Sequence, residues 1–544
     1  MQRFAALLDR LVLTPSRNGK IRLIIDYVRS TQDPDRGYAI AAITRDLVFH
    51  SVKPAMVRNL VAERVDEVLL GYSYDYVGDF AETVSLVWPA RPEHAGEPSP
   101  RLADVVRGLQ YASRMEGPRL VERWLDQLDA SGRYALLKLV TGELRIGVTA
   151  RLAKQALAQF GGVEVVGIEE IWHGLQPPYE TLFAWLEGRA ERPVSAALAP
   201  FRPVMLAQAL DDAVDFGKLD PADYAAEWKW DGIRVQAVGD GGVRRLYSRT
   251  GDDISGAFPD ILEHLNFEGA MDGELLVARE AEGSIAIAPF GDLQQRLNRK
   301  LVTTRMLKSY PAFIRAYDLL QEGEEDLRAL PFSRRRDRLE RFVADLASPR
   351  IDLSPIVPFP SWEALALMRS DPPTDDRIHE VAEGLMLKRW DSAYVPGRPK
   401  GPWFKWKRDP FVVDAVLMYA QRGHGKRSSF YSDYTFGVWA GPEDAPELVP
   451  VGKAYFGFTD EELREIDLYV RNNTTERFGP VRAVRAELNH GLVLEIAFEG
   501  LNRSSRHRSG VAMRFPRINR LRWDKPPAEA DRIEALERLL PAVA

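Results

Sequence analysis

The sequence predicts three kinds of structure in succession: an all-α region, an α/β region on an antiparallel sheet, and an all-β barrel. Three observations carry this. Apolar residues recur at helical spacing up to about residue 200, a period of two takes over after a proline-bearing stretch, and short strands dominate from Phe411. A chain of 544 residues accommodates three or four domains at roughly 150 residues each.

The elements follow in order. Phe4, Leu7, Leu8 and Leu11 mark an amphipathic N-terminal helix, interrupted by Asp9 and Arg10, rather than a signal peptide. Leu102, Val105, Val106 and Leu109 mark a second helix, and Val121, Trp124, Leu125 and Leu128 a third. Ala90–Pro100 reads as a loop, and Arg192–Pro203, with three prolines, as a linker. Beyond it, Ala226–Trp228 leads into the alternating Ile233–Val235–Ala237. Asp240-Gly241 then makes a hairpin turn before Val243–Ser248. Strands continue at Met271–Ala278 and Phe313–Leu320, then at Val412–Tyr419, Thr435–Trp439 and Leu492–Phe498. The last group suits a small barrel of the oligonucleotide-binding (OB) type. Pro526–Ala544 reads as a linker and a short helix. The boundaries are therefore 1–200, 201–408, 409–525 and a tail, 526–544.

Composition narrows the chemistry. The absence of cysteine excludes disulfides, Cys-ligated zinc, iron–sulfur clusters and a thiol nucleophile. No apolar run approaches the ~20 residues that span a bilayer, so a cytoplasmic address is expected. The net charge of −6 does not argue against a polyanionic partner, because phosphate binding is local. Arg503, Arg506, Arg508, Arg514, Arg517, Arg520, Arg522 and Lys525 stand against Asp524 within residues 500–525. Any such run is also compatible with a solvated charged face.

The strongest signal is Glu227-Trp228-Lys229-Trp230-Asp231-Gly232-Ile233-Arg234. Alone, Lys-x-Asp-Gly is weak, since many surface turns share that composition. Its successors change the reading. Ser248-Arg249-Thr250-Gly251, Asp272-Gly273-Glu274-Leu275 and Tyr317-Asp318 follow in order. Glu383-Gly384-Leu385-Met386-Leu387-Lys388 and Trp403-Phe404-Lys405-Trp406-Lys407 come next, then Arg514-Phe515-Pro516-Arg517 and Arg522-Trp523-Asp524-Lys525. This succession resembles the ordered motif series of covalent nucleotidyltransferases: ATP-dependent DNA ligases, RNA ligases and mRNA capping enzymes. Gly142–Val148 resembles the Leu-Arg-Ile-Gly segment of a ligase DNA-binding domain, and Arg202–Ala207 the lead-in to an adenylation domain. The whole pattern is similar to bacterial three-domain ATP-dependent DNA ligases of the cisplatin-damage-response type.

The resemblance implies a helical DNA-binding domain (1–200), an adenylation domain (201–408) and an OB domain (409–525). It implies a monomer that encircles nicked duplex DNA in repair or replication, associated with the bacterial nucleoid, using ATP and Mg²⁺, with Mn²⁺ able to substitute. Lys229 would carry AMP. Glu227 would accept from the adenine amino group. Arg234 and Arg249 would hold the ribose and the nick 5′-phosphate, Tyr317 would support the ribose and base, and Lys405 and Lys407 would meet the α-phosphate. Lys388, at a motif position, belongs to the same nucleotide site. Glu274 and Glu383 would serve as oxygen ligands of the metal, and Arg522 and Lys525 would orient the leaving pyrophosphate. Arg145, Arg249, Arg503, Arg506 and Arg508 are candidate DNA contacts.

These residue types suit the chemistry. A free lysine, with a pKa of about 10.4, is almost wholly protonated at neutral pH, so a nucleophilic lysine needs help from its site. Lys405 and Lys407 alternate on one strand and therefore share a face. Carboxylates are natural ligands for a hard divalent cation. Tyr317 also reads as a core aromatic and Glu227 as an exposed strand charge. The segment Phe290–Arg296 resembles a ligase stretch near the adenylation pocket, with no role assigned. Two alternatives stand beside this reading. An RNA ligase or capping-type enzyme shares Lys-x-Asp-Gly but normally lacks the helical region. A non-catalytic DNA-binding scaffold would not need Lys229, Glu274, Glu383, Lys405 and Lys407 intact.

Overall fold

The structure, a computed structural model, describes all residues except 67, 69, 71–72, 74–78, 92–96, 143, 145, 195–196, 282–283, 298, 300–301, 374–377, 423–430, 480, 505–506 and 541–544. The chain divides into two compact units. One comprises Met1–Val163, Gln176–Glu191 and Pro410–Ala544, the other Glu164–Leu175 and Arg192–Asp409.

In the first unit the N-terminal part is helical. The helix Gln2–Leu13 buries Phe4, Leu7, Leu8 and Leu11, as their spacing requires. Leu102–Tyr111 and Glu116–Gln127 likewise bury their apolar stripes. Arg17–Ser30, Ala130–Thr141 and Ala150–Gly161 start at Ser16, Asp129 and Thr149, whose side chains accept from backbone N–H groups of the first turn. Lys20 is buried, and its ammonium donates to the carbonyls of Ile146 and Gly147, pinning the loop that opens the helix Ala150–Gly161.

The same unit holds a sheet of seven strands. Phe411–Arg422 is its spine. It pairs antiparallel with Tyr431–Ala440, and along its length with Val493–Phe498 and Val481–Val484. Arg517–Arg522 adds to Val493–Phe498. The strands expected from Val412, Thr435 and Leu492 are thus realised, longer than expected in the first two cases. The helix Asp460–Asn472 also packs here, started by a capping box of Thr459 and Glu462. The segment beyond 525 contributes to this core: Leu536 is 1% exposed within it, and the Trp439 indole donates to the Pro527 carbonyl.

The second unit is built on two sheets, where the sequence suggested one antiparallel sheet. The first orders Gln208–Ala209, Trp403–Lys407, Ala382–Arg389, Tyr224–Trp230 and Ile356–Val357. The second is centred on Ile233–Asp240, Gly269–Ala281 and Ala312–Glu322. Both are mainly antiparallel, but Gln208–Ala209 and Ile351–Leu353 join as short parallel edges. The proline-bearing stretch expected as a linker is partly core. Ala199 and Phe201 are buried with Val238, Tyr247 and Trp403, and Arg202 is tied through its backbone to Gln236. Prolines stiffen the chain without keeping it from packing.

Two helices, Phe332–Leu346 and Trp362–Ser370, complete the second unit. From the first, Arg335 reaches Asp318 at 2.8 and 3.0 Å, and both side chains are 0% exposed. Arg335 also donates to the carbonyls of Leu330 and Ser392. Removing one partner strands a buried charge, at a cost of roughly 3–5 kcal/mol. Asp318→Ala is therefore expected to lower the denaturant midpoint sharply. A change within about 0.5 kcal/mol, the scale of an inconsequential surface substitution, would show that the pair does not brace this unit.

Candidate active site

The two sheets of the second unit meet at the turn Asp231-Gly232. A Cβ on Gly232 would lie 2.5 Å from the Leu275 carbonyl oxygen and 2.8 Å from the Glu274 side chain. Glycine is what allows the Lys229 strand (Tyr224–Trp230) to turn so tightly onto Gly269–Ala281. At this junction lies a cavity of about 410 Å³. Its lining includes Glu227, Lys229, Arg234, Arg249, Glu274, Tyr317, Glu383, Lys388, Lys405 and Lys407, every nucleotide-site residue the motifs nominated in this unit.

Register explains the convergence. Glu227 faces Met386, which faces Lys405 on the next strand, so the three side chains project to one side of the sheet. Lys229 and Lys407 stand two residues further along their own strands, on the same side. Glu383 reaches this face through a bulge. Pairing between Ala382–Arg389 and the Lys229 strand slips between Ala382 and Leu385. Gly384 sits there at φ +139°, and a Cβ on it would lie 2.3 Å from the Trp406 carbonyl oxygen. The carboxylate of Glu383 pairs with the Lys229 ammonium and, at 3.2 Å, with Lys407.

The second sheet supplies the opposite wall. Arg234 and Glu274 are cross-strand neighbours. Arg234 is anchored from behind: it donates to the Met205 carbonyl at 2.5 Å, to Asp272 at 2.6 Å and to the Tyr394 hydroxyl at 2.9 Å. Asp272, fully buried, also accepts from Tyr394 and Gln236. The Arg234 Nε is buried without a hydrogen-bond partner among the described residues. Tyr317 is approached by two cations, with the Lys388 ammonium 4.6 Å and the Arg234 guanidinium 5.9 Å from its ring centroid. Lys388, 1% exposed, donates to Glu227 at 3.0 Å and to the Tyr317 carbonyl at 3.1 Å. Glu227 is therefore not the exposed strand charge it could have been: it is 2% exposed and neutralised from below.

The electrostatics divide the cavity. Burial pushes the Glu274 carboxyl up to about 8; Lys229 and Arg234 pull it down, and Glu383 and Asp231 push it further up. Burial would also raise Glu383, but Lys229 and Lys407 outweigh it and hold that carboxyl below the usual range. Burial lowers the Lys405 ammonium, and repulsion from Lys407, Lys229, Arg398 and Arg249 lowers it further. Arg249 is depressed by burial and then by Arg234 and Arg398. Cations crowded to mutual repulsion around one cavity call for a polyanion of the triphosphate kind.

A divalent metal fits the donor set. Among the described residues no group of three or more His, Asp or Glu side chains could enclose a metal alone. Mg²⁺ characteristically binds through one or two carboxylates, waters and substrate phosphates, and Glu274 and Glu383 supply two carboxylates on the cavity wall.

Some residues lie elsewhere or were missed. Arg522 and Lys525 belong to the other unit, where both reach Asp414, at 3.1 and 2.7 Å. Arg508 is exposed and pairs with Glu447, and Arg503 is exposed at the end of Gly500–Arg503. Arg145 and Arg506 lie outside the described residues. Arg296, from the Phe290–Arg296 segment, is fully buried against Asp260 and Phe258, and it braces the fold. Sequence reasoning missed Arg398, Met386 and Trp403, which line the cavity, and Asp272 and Tyr394, which anchor Arg234. Arg398 stands near the Trp403 motif as a basic residue in a Pro-Gly loop, a signal too common to single out.

Known proteins resemble this chain along most of its length. A family model described as "ATP dependent DNA ligase domain" matches residues 204–407, and one described as "ATP dependent DNA ligase C terminal region" matches 427–525. The chain is 31% identical to a "Probable DNA ligase" of Koribacter versatilis, over 99% of this chain and 96% of the relative. It is 29% identical to "DNA ligase 1" of Korarchaeum cryptofilum, over 99% and 98%. A solved structure described as "Pmar-Lig_PreS3" superposes with a TM-score of 0.57 at 14% identity, over 95% of this chain and 99% of that one, a likeness of fold.

Proposed function

We propose, for a chain that belongs to the ATP-dependent DNA ligases and seals DNA by adenylation, that Lys229 is the residue that carries AMP and that the cavity around it is the nucleotide site. The observation that carries this is the convergence of ten motif residues, from Glu227 to Lys407, on one cavity. Lys229 attacks the α-phosphorus of ATP, forming a lysyl–AMP bond as the bond to pyrophosphate breaks. AMP then passes to the 5′-phosphate at a nick, and the 3′-hydroxyl displaces it.

Each side chain has a task in this reading. Glu227, fixed by Lys388, accepts from the adenine amino group, and Tyr317 and Arg234 flank the ribose. Lys405 and Lys407 neutralise the α-phosphate, and Arg249 meets the 5′-phosphate. Charge placed in advance on the equatorial oxygens lowers the barrier without reorganisation. Glu274 and Glu383 would hold Mg²⁺, which when bound supplies further positive charge to the phosphates. The helical residues 1–200 and the barrel 409–525 would grip duplex DNA as a monomeric clamp on the nucleoid, largely through the backbone. Arg145, Arg503, Arg506 and Arg508 are candidate contacts. Arg522 and Lys525 of the barrel would meet the leaving pyrophosphate.

The test is incubation with ATP, GTP or NAD followed by intact-mass measurement, then sealing of nicked DNA and nicked RNA. A gain of one AMP from ATP, with preference for nicked DNA, is the expected result. Adduct formation from GTP would favour a capping-type activity, and equal sealing of RNA would favour an RNA ligase. No adduct would leave a scaffold.

A further inference from the structure

The barrel's basic pair is held together by one carboxylate. Asp414 lies on the spine strand Phe411–Arg422 with its side chain 12% exposed. A single oxygen, Oδ2, accepts from Arg522 at 3.1 Å and from Lys525 at 2.7 Å. Its other oxygen, Oδ1, is buried and has no hydrogen-bond partner among the described residues. The Asp414 backbone is secured independently, its N–H donating to Asp531 at 2.7 Å and its carbonyl accepting from the Asp531 N–H at 2.8 Å. Arg522 also meets Asp524 at 2.9 Å, and Glu495 lies 3.8 Å away. The pair is not generic surface charge: Arg522 is 17% and Lys525 21% exposed.

Two features point away from a purely structural ion pair. A half-satisfied buried carboxylate is costly to keep, and an apolar side chain on this strand would not carry that cost. Moreover, two cations sharing one acceptor oxygen are held close together despite their repulsion. With Nε and Nη2 of Arg522 engaged by Asp524 and Nη1 by Asp414, one N–H remains on each of Nη1 and Nη2 and further ones on the Lys525 ammonium, enough donors for a diphosphate, with Asp414 screening the repulsion of the two cations until the anion arrives.

We infer that Asp414 is a positioning residue for lysine adenylation: it sets Arg522 and Lys525 as a paired donor for the leaving pyrophosphate. The inference rests on the proposed role of those two residues. Pyrophosphate leaves only in the first step. Loss of Asp414 therefore slows lysyl–AMP formation and its reversal by added pyrophosphate to the same extent, and leaves phosphodiester formation at an already adenylated nick untouched. Because the contact strengthens as the phosphorus–oxygen bond breaks, the loss falls on kcat more than on the KM for ATP.

The experiment uses the full chain with Asp414→Asn, Arg522→Ala, Lys525→Ala and the Asp414→Asn/Arg522→Ala double variant. Each is assayed for self-adenylation, for pyrophosphorolysis of the adenylated enzyme and for sealing of a pre-adenylated nick, with thermal unfolding alongside. Asp414→Asn is expected to lose on the order of tenfold in the first two reactions, about 1.4 kcal/mol in barrier. It is expected to keep the third and to add little in the Arg522→Ala background, because the two act as a unit. Asp414→Glu recovers part of the loss. Wild-type adenylation by Asp414→Asn beside a defective Arg522→Ala overturns the inference alone. Faster adenylation would show that the carboxylate competes with pyrophosphate, and overturns it too. A parallel fall in all three reactions with a lowered unfolding temperature reduces Asp414 to a structural residue. If Arg522→Ala and Lys525→Ala adenylate normally, the reading beneath the inference fails as well.

Discussion

Lys229→Ala and Lys229→Arg are both expected to reduce AMP attachment and nick sealing to background while leaving DNA affinity nearly unchanged. Alanine removes the proposed nucleophile. Arginine keeps the positive charge and much of the length, so it separates charge from chemistry. A guanidinium stays protonated throughout the working pH range and does not present a free nitrogen lone pair. The structure adds a reason for caution about length alone. Lys229 is engaged with Glu383, so attack requires it both to leave that carboxylate and to give up a proton. Arginine forms the same ion pair and stops there. The check is transfer of radiolabel from α-labelled ATP onto protein. Labelling of either variant would move the nucleophile to another amine on the cavity, and Lys405 or Lys407 would be the ones to examine.

How much of this was legible in the sequence depends on the range of the interaction involved. The N-terminal helix was readable because Phe4, Leu7, Leu8 and Leu11 define a stripe that must be buried. The hairpin through Asp240-Gly241 was readable because turn chemistry and alternation are local. The motif residues were readable because their order is preserved, and that order brings Glu227 and Lys407 into one cavity from far apart. Pairing was not readable. Alternation says which face a residue takes but not which strand lies beside it, so it does not distinguish one sheet from two. The bulge at Gly384 arises only once the Lys229 strand and Ala382–Arg389 pair, so the contact from Glu383 to Lys229 could not be foreseen. The same holds for Lys388 beneath Glu227 and for Tyr394 and Asp272 behind Arg234. The helix Asp460–Asn472 is a different case. Its capping box, Thr459 with Glu462, is a local signal, and the run of strands around it obscured it.

The contrast between Glu274 and Glu383 shows what the fold adds to a motif. Both are glutamates next to glycine at motif positions, and by sequence they are interchangeable as metal ligands. Burial leaves Glu274 with a carboxyl pushed up to about 8, whereas Lys229 and Lys407 keep Glu383 ionised. Burial thus disfavours the charged form of Glu274, whereas its two lysines favour the charged form of Glu383. A cation held by both would have to offset the burial of Glu274 and compete with two lysines for Glu383.

That difference sets the second large effect. Glu383→Ala is expected to lower lysyl–AMP formation by on the order of 100-fold or more, about 3 kcal/mol in barrier, with Glu383→Asp recovering little. Shortening the chain by one methylene withdraws the carboxylate from both Lys229 and the metal it would hold. Affinity for ATP should move the other way or not at all. Removing this acid leaves Lys229, Lys405, Lys407, Arg249 and Arg398 facing the triphosphate with one negative charge fewer among them, so ground-state binding gains attraction while the chemistry loses its organiser. The signature is a fall in kcat with an unchanged or lower KM for ATP. A structural collapse would instead raise KM. Glu383→Gln refines the test because it keeps the size and one acceptor oxygen but not the charge. If ionic contact with Lys229, Lys407 and metal is what matters, Gln behaves like Ala. If only the shape of the bulge matters, Gln behaves like wild type. Near-normal adenylation by Glu383→Ala at low Mg²⁺ would remove Glu383 from the reaction and leave its pairing with Lys229 as a resting contact.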